Sequence, residues 1–136
     1  NKAAAILPLD TFPPALGQGA VSITARTGDK RSADAVAAIS CVDTGLALLT
    51  ERAFLKKLDG SCRTPIAATA HIDGGNLLFM GEVLTPDGKH RWRRQDSVAL
   101  GTDPIATARD LGLKLGAAIK AEAGPLYTSH FGDKGW

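Results

Sequence analysis

The chain has 136 residues, 44% of them hydrophobic and 22% charged, with 15 glycines, 7 prolines and a formal charge of +2. Those values fit one globular domain and exclude a disordered, collagen-like or coiled-coil chain. The near-neutral charge supplies no global attraction for nucleic acid or acidic membranes, and no apolar run approaches the roughly 18–20 residues that span a bilayer. Met80 is the single methionine and Asn1 the first residue, so the sequence is expected to be part of a longer product.

Residues 1–16 carry Pro8, Pro13 and Pro14 among small apolar side chains and read as an extended linker. Gly17-Gln18-Gly19 then leads to Ala20–Arg26, where Val21, Ile23 and Ala25 alternate with smaller or polar residues and predict a strand. A lone strand leaves its backbone donors and acceptors unpaired, so its sheet is expected to lie outside this chain. Arg31–Ser40 predicts a short alanine-rich helix. A longer helix follows, with Asp43 as its N-cap and Gly60 just beyond its end. Ala47, Leu48, Phe54, Leu55 and Leu58 form its apolar stripe, interrupted by Glu51, whose carboxylate requires a fixed partner there. Leu46, Leu49 and Ala53 make a second patch, expected to touch something outside the chain.

After Asp59–Thr64 the period changes from helical to two. Ile66, Ala68, Ala70 and Ile72 point one way, and Ala67, Thr69 and His71 the other. The turns Asp73-Gly74-Gly75 and Pro86-Asp87-Gly88 join this run to Leu77–Thr85 and then to Lys89–Val98, predicting an antiparallel meander. Asp103 as N-cap and Pro104 at the first turn open a helix with Ile105, Ala108, Leu111, Gly112, Leu115 and Ile119 on one face, stopped by Gly124-Pro125. The predicted fold is therefore α+β: a three-stranded antiparallel sheet with helices on one face, preceded by an extra strand and a linker. The division falls at 1–29, linker and crossover strand, and 30–136, the α+β domain.

Two cysteines are too few for a disulfide scaffold and lack paired zinc spacing, which makes a reducing, cytoplasmic compartment the default. Cys41, beside Ile39 and Val42, reads as a small buried hydrophobe. Cys62 sits in a loop between a lysine-bearing helix and a strand, where Lys56, Lys57 and Arg63 favour a thiolate. His71, His90 and His130 are too scattered to suggest a metal site, and a thiol hydrolase pairing one of them with Cys62 has no independent support. His90-Arg91-Trp92-Arg93-Arg94 is the one basic cluster. It reads as the solvated edge of a small sheet or, in an alternative function, as an RNA-binding strand that stacks bases on Trp92 and holds phosphates with Arg91, Arg93 and Arg94.

The run Glu51–Ala67, with Glu-Arg, hydrophobic spacing, Gly60-Ser61-Cys62 and then Pro65-Ile66, resembles the cofactor-attachment signature of the porphobilinogen deaminase (hydroxymethylbilane synthase) family. Ser61 and Ala67 stand where that family most often has glycine. Leu16-Gly17-Gln18-Gly19-Ala20-Val21 resembles the family's Gly-Gln-Gly-Ala strand. The resemblance implies a cytoplasmic, monomeric transferase of tetrapyrrole (heme and porphyrin) synthesis in which three domains enclose a cleft. Porphobilinogen units are condensed there into hydroxymethylbilane with release of ammonia. It implies Cys62 as the thioether tether of a dipyrromethane cofactor that primes the growing oligopyrrole chain. The family's catalytic aspartate and carboxylate-binding cations belong to its first two domains. The resemblance therefore implies no catalytic residue for this chain, which by itself is expected to be inactive, while its charge, histidine spacing and short apolar runs lead to no metal, no nucleic acid and no membrane being expected. Residues 1–29 become linker and crossover strand of the preceding domains.

Overall fold

The computed structural model describes residues 4–60 and 64–132. Three strands, β1 (Ile66–Asp73), β2 (Asn76–Leu84) and β3 (Arg91–Ala99), form an antiparallel meander in the order β1-β2-β3. Asp73 pairs with Asn76 across Gly74 and Gly75, both at positive φ, the backbone that a two-residue hairpin needs. The second hairpin turns at Gly88, also at positive φ, and Thr85 and His90 close it with an N–H···O=C bond of 3.0 Å. The α+β class and the three strands agree with the period-two reading of the sequence.

Four helices accompany the sheet: α1 (Lys30–Ile39), α2 (Val42–Lys57), α3 (Pro104–Ala123) and α4 (Pro125–Phe131). The core lies between one sheet face and the pair α2/α3. Ala68, Leu77, Phe79, Val83 and Trp92 come from the sheet, Phe54 and Leu58 from α2 and its C-cap, and Leu111, Leu115 and Ile119 from α3. Phe54 is fully buried, meets Phe79 edge-on at 5.1 Å and fills the space above Gly81, where a Cβ would lie 2.6 Å from its ring. Burial on this scale contributes about 1.5–3 kcal/mol per large side chain. α3 approaches α2 closely because Gly112 and Gly116 have no side chain, leaving room for the α2 backbone and for Ala53 and Lys57.

That close approach changes which face of α2 is buried. Leu46, Thr50, Glu51, Ala53 and Phe54 are the buried residues, while Ala47, Leu48 and Leu55 are only partly covered. The Leu46–Ala53 side, expected to face outward, is covered within this chain. α2 also begins one residue before the expected cap. Cys41 occupies the N-cap position, Asp43 falls in the first turn, and Cys41 is exposed rather than buried. Ile105 is exposed as well, since α3 meets the sheet only from Ala108 onward. Gly124-Pro125 does end α3, but Pro125 then serves as the first residue of α4, which buries Tyr127 and Phe131.

The N-terminal region differs most from expectation. Residues 20–26 make no strand among the described residues, Val21 and Ile23 are exposed, and α1 buries nothing. Residues 14–17, by contrast, lie along the outer edge of β1, where Pro14 O accepts the Ala68 N–H at 3.1 Å, while Asp10 O accepts from the Arg93 guanidinium on β3. Leu16 packs against the core. Among the described residues no single helix is long and apolar enough to cross a membrane.

Candidate functional site

The loop joining α2 to β1 is held at both stems. On the α2 side, Gly60 N–H donates to Leu55 O at 3.1 Å, and a Cβ on Gly60 would overlap Leu55 and Ile66 side chains. Asp59 stands at φ 51, a left-handed conformation that costs a non-glycine residue free energy unless its surroundings hold it. On the β1 side, Thr64 is buried, its carbonyl accepts the Ile66 N–H at 2.7 Å, and Pro65 O accepts the Leu84 N–H at 3.0 Å. Residues 61–63, Cys62 among them, lie outside the described residues. Lys56 and Lys57 are exposed in the last turn of α2, where cations complement the partial negative charge of the helix end.

The Leu58–Gly60 stem also meets α3 and α4. Lys120 of α3 forms an ion pair with Asp59, the Tyr127 hydroxyl of α4 donates to Leu58 O, and the Lys120 ammonium sits 5.4 Å from the Tyr127 ring centre. Burial, together with the Asp59 carboxylate, pushes the Tyr127 phenol up to about 12, so it keeps its proton and remains a donor.

Glu51 has two partners that local sequence could not supply. Its Oε2 accepts the Gly17 N–H at 2.6 Å and its Oε1 accepts the Ala70 N–H at 3.0 Å. One carboxylate thus joins the Gly-Gln-Gly turn, α2 and the edge strand β1. Burial holds this carboxyl above its ordinary range, against the pull of the two N–H donors. Beside it opens a 660 Å³ cleft lined by Gly17, Gln18, Thr44, Ala47, Leu48 and His71, among others.

The basic cluster on β3 is already engaged. Trp92 is buried on the helix side of the sheet, with His90 stacked on it at 5.8 Å. Arg91 and Arg93 both reach the buried Glu82 carboxylate, at 2.8 and 2.7 Å, and Arg94 pairs with Glu122 at 2.5 Å. Trp92 has no free face for a base and the arginines are paired within the chain, so the RNA-binding alternative finds no support. Cys41, by contrast, is an exposed thiol lowered from its ordinary value by its hydrogen bond with Thr44. Among the described residues no three His, Cys, Asp or Glu side chains gather as metal ligands would.

A family model described as "Porphobilinogen deaminase, C-terminal domain" matches residues 46–121, from α2 through most of α3. The porphobilinogen deaminase of Phenylobacterium zucineum (strain HLK1) is 48% identical over 114 residues, covering 82% of this chain and 35% of that protein. That of Caulobacter vibrioides (strain NA1000 / CB15N) is 47% identical over 116 residues, 85% of this chain and 36% of its own length. The chain spans about a third of the length of the curated relatives it matches. With more than half of its residues under the family model, this chain belongs to the porphobilinogen deaminase family and carries its C-terminal domain.

Proposed function

We propose that this chain is the cofactor-tethering part of a cytoplasmic, monomeric transferase that condenses porphobilinogen units into hydroxymethylbilane with release of ammonia, and that Cys62 is the tether. In this reading residues 1–29 are linker and crossover from preceding domains, 30–136 form the attachment domain, and the catalytic carboxylate and most substrate-binding cations lie in those other domains. The observation that supports the reading is the Glu51–Ala67 signature, which runs from α2 into β1, with hydrogen bonds holding the chain on either side of residues 61–63.

The residues present suit a dipyrromethane group. A thiol can form the thioether, and Lys56 and Lys57 put two cations within six residues of it, matching a ligand rich in carboxylates. When bound, the group supplies the free pyrrole carbon on which the oligopyrrole chain grows. Cys62 would hold the group through a thioether, its sulfur replacing the amine on a pyrrole methylene carbon. A C–N bond is broken, a C–S bond is formed, and the thiol proton leaves with the amine. Afterwards it is a tether and not an acid or base. Glu51 and the stems keep α2 and β1 in a fixed relation around it.

Mass spectrometry of the full-length protein should find the adduct on the peptide that contains Cys62 and none on the peptide that contains Cys41. Cys62→Ser should abolish adduct and turnover together, and a Cys62→Ser protein with full turnover overturns the proposal.

A further inference from the structure

We propose that Lys120 and Tyr127, on the helices after the sheet, are positioning residues for the cofactor tether: they lock the Leu58–Gly60 stem from which the chain runs to Cys62. The inference rests on the reading of Cys62 as the attachment point. Three observations converge on this stem. Asp59 is the one described non-glycine residue at positive φ, and Lys120 pairs with its carboxylate. The Tyr127 hydroxyl donates to the buried carbonyl of Leu58, 69 residues away in sequence. Tyr127 is itself fixed against Phe131 at 4.9 Å and lies under the Lys120 ammonium at 5.4 Å, so the two contacts form one unit.

A helix C-terminus left to itself frays, because its last carbonyls have no intrahelical partner. Here one such carbonyl, that of Leu58, is capped by a side chain from α4, and the left-handed residue that follows is held by a cation from α3. Only two residues separate Asp59 from Cys62. The order of the Leu58–Gly60 stem, so near Cys62 in sequence, bears on how the thiol is presented to its electrophile, where small misplacements slow reaction. Lys120 also balances the Asp59 carboxylate, which otherwise opposes formation of a thiolate close by in the chain.

The test uses the full-length enzyme, prepared without cofactor and loaded with porphobilinogen, with adduct on the Cys62 peptide followed by mass spectrometry. Tyr127→Phe and Lys120→Met should each slow loading on the order of fivefold, the rate equivalent of one lost hydrogen bond, while Lys120→Arg loads at the wild-type rate. Amide exchange of Asp59 and Gly60 should accelerate in the first two variants and not in the third. Lys120→Met should also move the pH profile of Cys62 alkylation upward, with Cys41, read on its own peptide, unmoved. Wild-type loading and exchange rates in both Tyr127→Phe and Lys120→Met overturn the inference. A wild-type protein that never acquires an adduct on Cys62 overturns instead the reading it rests on.

Discussion

Glu51→Ala tests whether one carboxylate holds the N-terminal segment, α2 and β1 together. The substitution leaves two N–H groups, those of Gly17 and Ala70, without their acceptor. An orphaned buried donor costs about 1–3 kcal/mol. Both N–H groups are half-buried and both line the cleft, where water can replace part of each lost bond. Relief of the desolvated carboxylate returns part of this, so the net loss is about 1–2 kcal/mol. Glu51→Gln keeps one acceptor oxygen and should lose about 1 kcal/mol. With a slope of about 2 kcal/mol per M, urea unfolding of the 136-residue chain should show a midpoint lower by about 0.5–1 M for alanine and by about 0.5 M or less for glutamine. The pH dependence supplies a separate signature. Because burial raises the folded-state value above 4.5, the folded chain keeps the Glu51 proton to higher pH than the unfolded chain. Glu51's share of stability is thus complete below 4.5 and declines as pH rises through the window above it. Glu51→Gln cannot titrate and lacks that decline. A midpoint for Glu51→Ala within about 0.2 M of wild type, outside the error of the slope, refutes the clasp.

Two further outcomes follow from the packing and the second hairpin. Gly112→Ala places a Cβ against Thr50 O, Ala53 Cβ and Phe54 N, two of them backbone atoms of α2 that cannot swing away. It should cost about 1–3 kcal/mol and lower the melting temperature by several degrees, where an exposed helical site would gain from alanine. Asp87 accepts from the Thr85 hydroxyl at 2.6 Å and the Lys89 N–H at 3.2 Å, which lowers its carboxyl to about 2. An NMR titration of Asp87 should therefore find its midpoint near 2, and Thr85→Ala should return it toward the ordinary 3.8. The stabilising contribution of this group is present at neutral pH and is lost as pH falls from 3.8 through about 2.

Local pattern was sufficient where the physics is local. Period-two alternation and the glycine turns at Gly74, Gly75 and Gly88 located the meander, and Asp103-Pro104 located the start of α3, where Asp103 accepts the Ala106 N–H at 2.9 Å. The buried face of α2 was misread because the decisive contacts come from Gly112 and Gly116, some sixty residues later, and absent side chains leave no hydrophobic signal. α4 was missed because Gly-Pro carries two meanings, a stop and a first turn, and only the burial of Tyr127 and Phe131 chooses between them. At the candidate site, the Cys62 motif and the need of Glu51 for a partner were legible in the sequence. The partners, two main-chain N–H groups, were not, because every residue but proline carries the same donor. Lys120 and Tyr127 were likewise hidden, since their contacts with the loop stem span more than sixty residues.

The way residues 14–17 hold the edge of β1 also makes them a lever. Pro14 bonds to Ala68 directly, and Gly17 reaches Ala70 through a carboxylate rooted in α2. A displacement of that segment therefore moves helix and strand together and does not pull one from the other. Gly60 and Thr64 flank residues 61–63 just beyond the ends of that same helix and strand, so the contacts of residues 14–17 bear on both flanks at once.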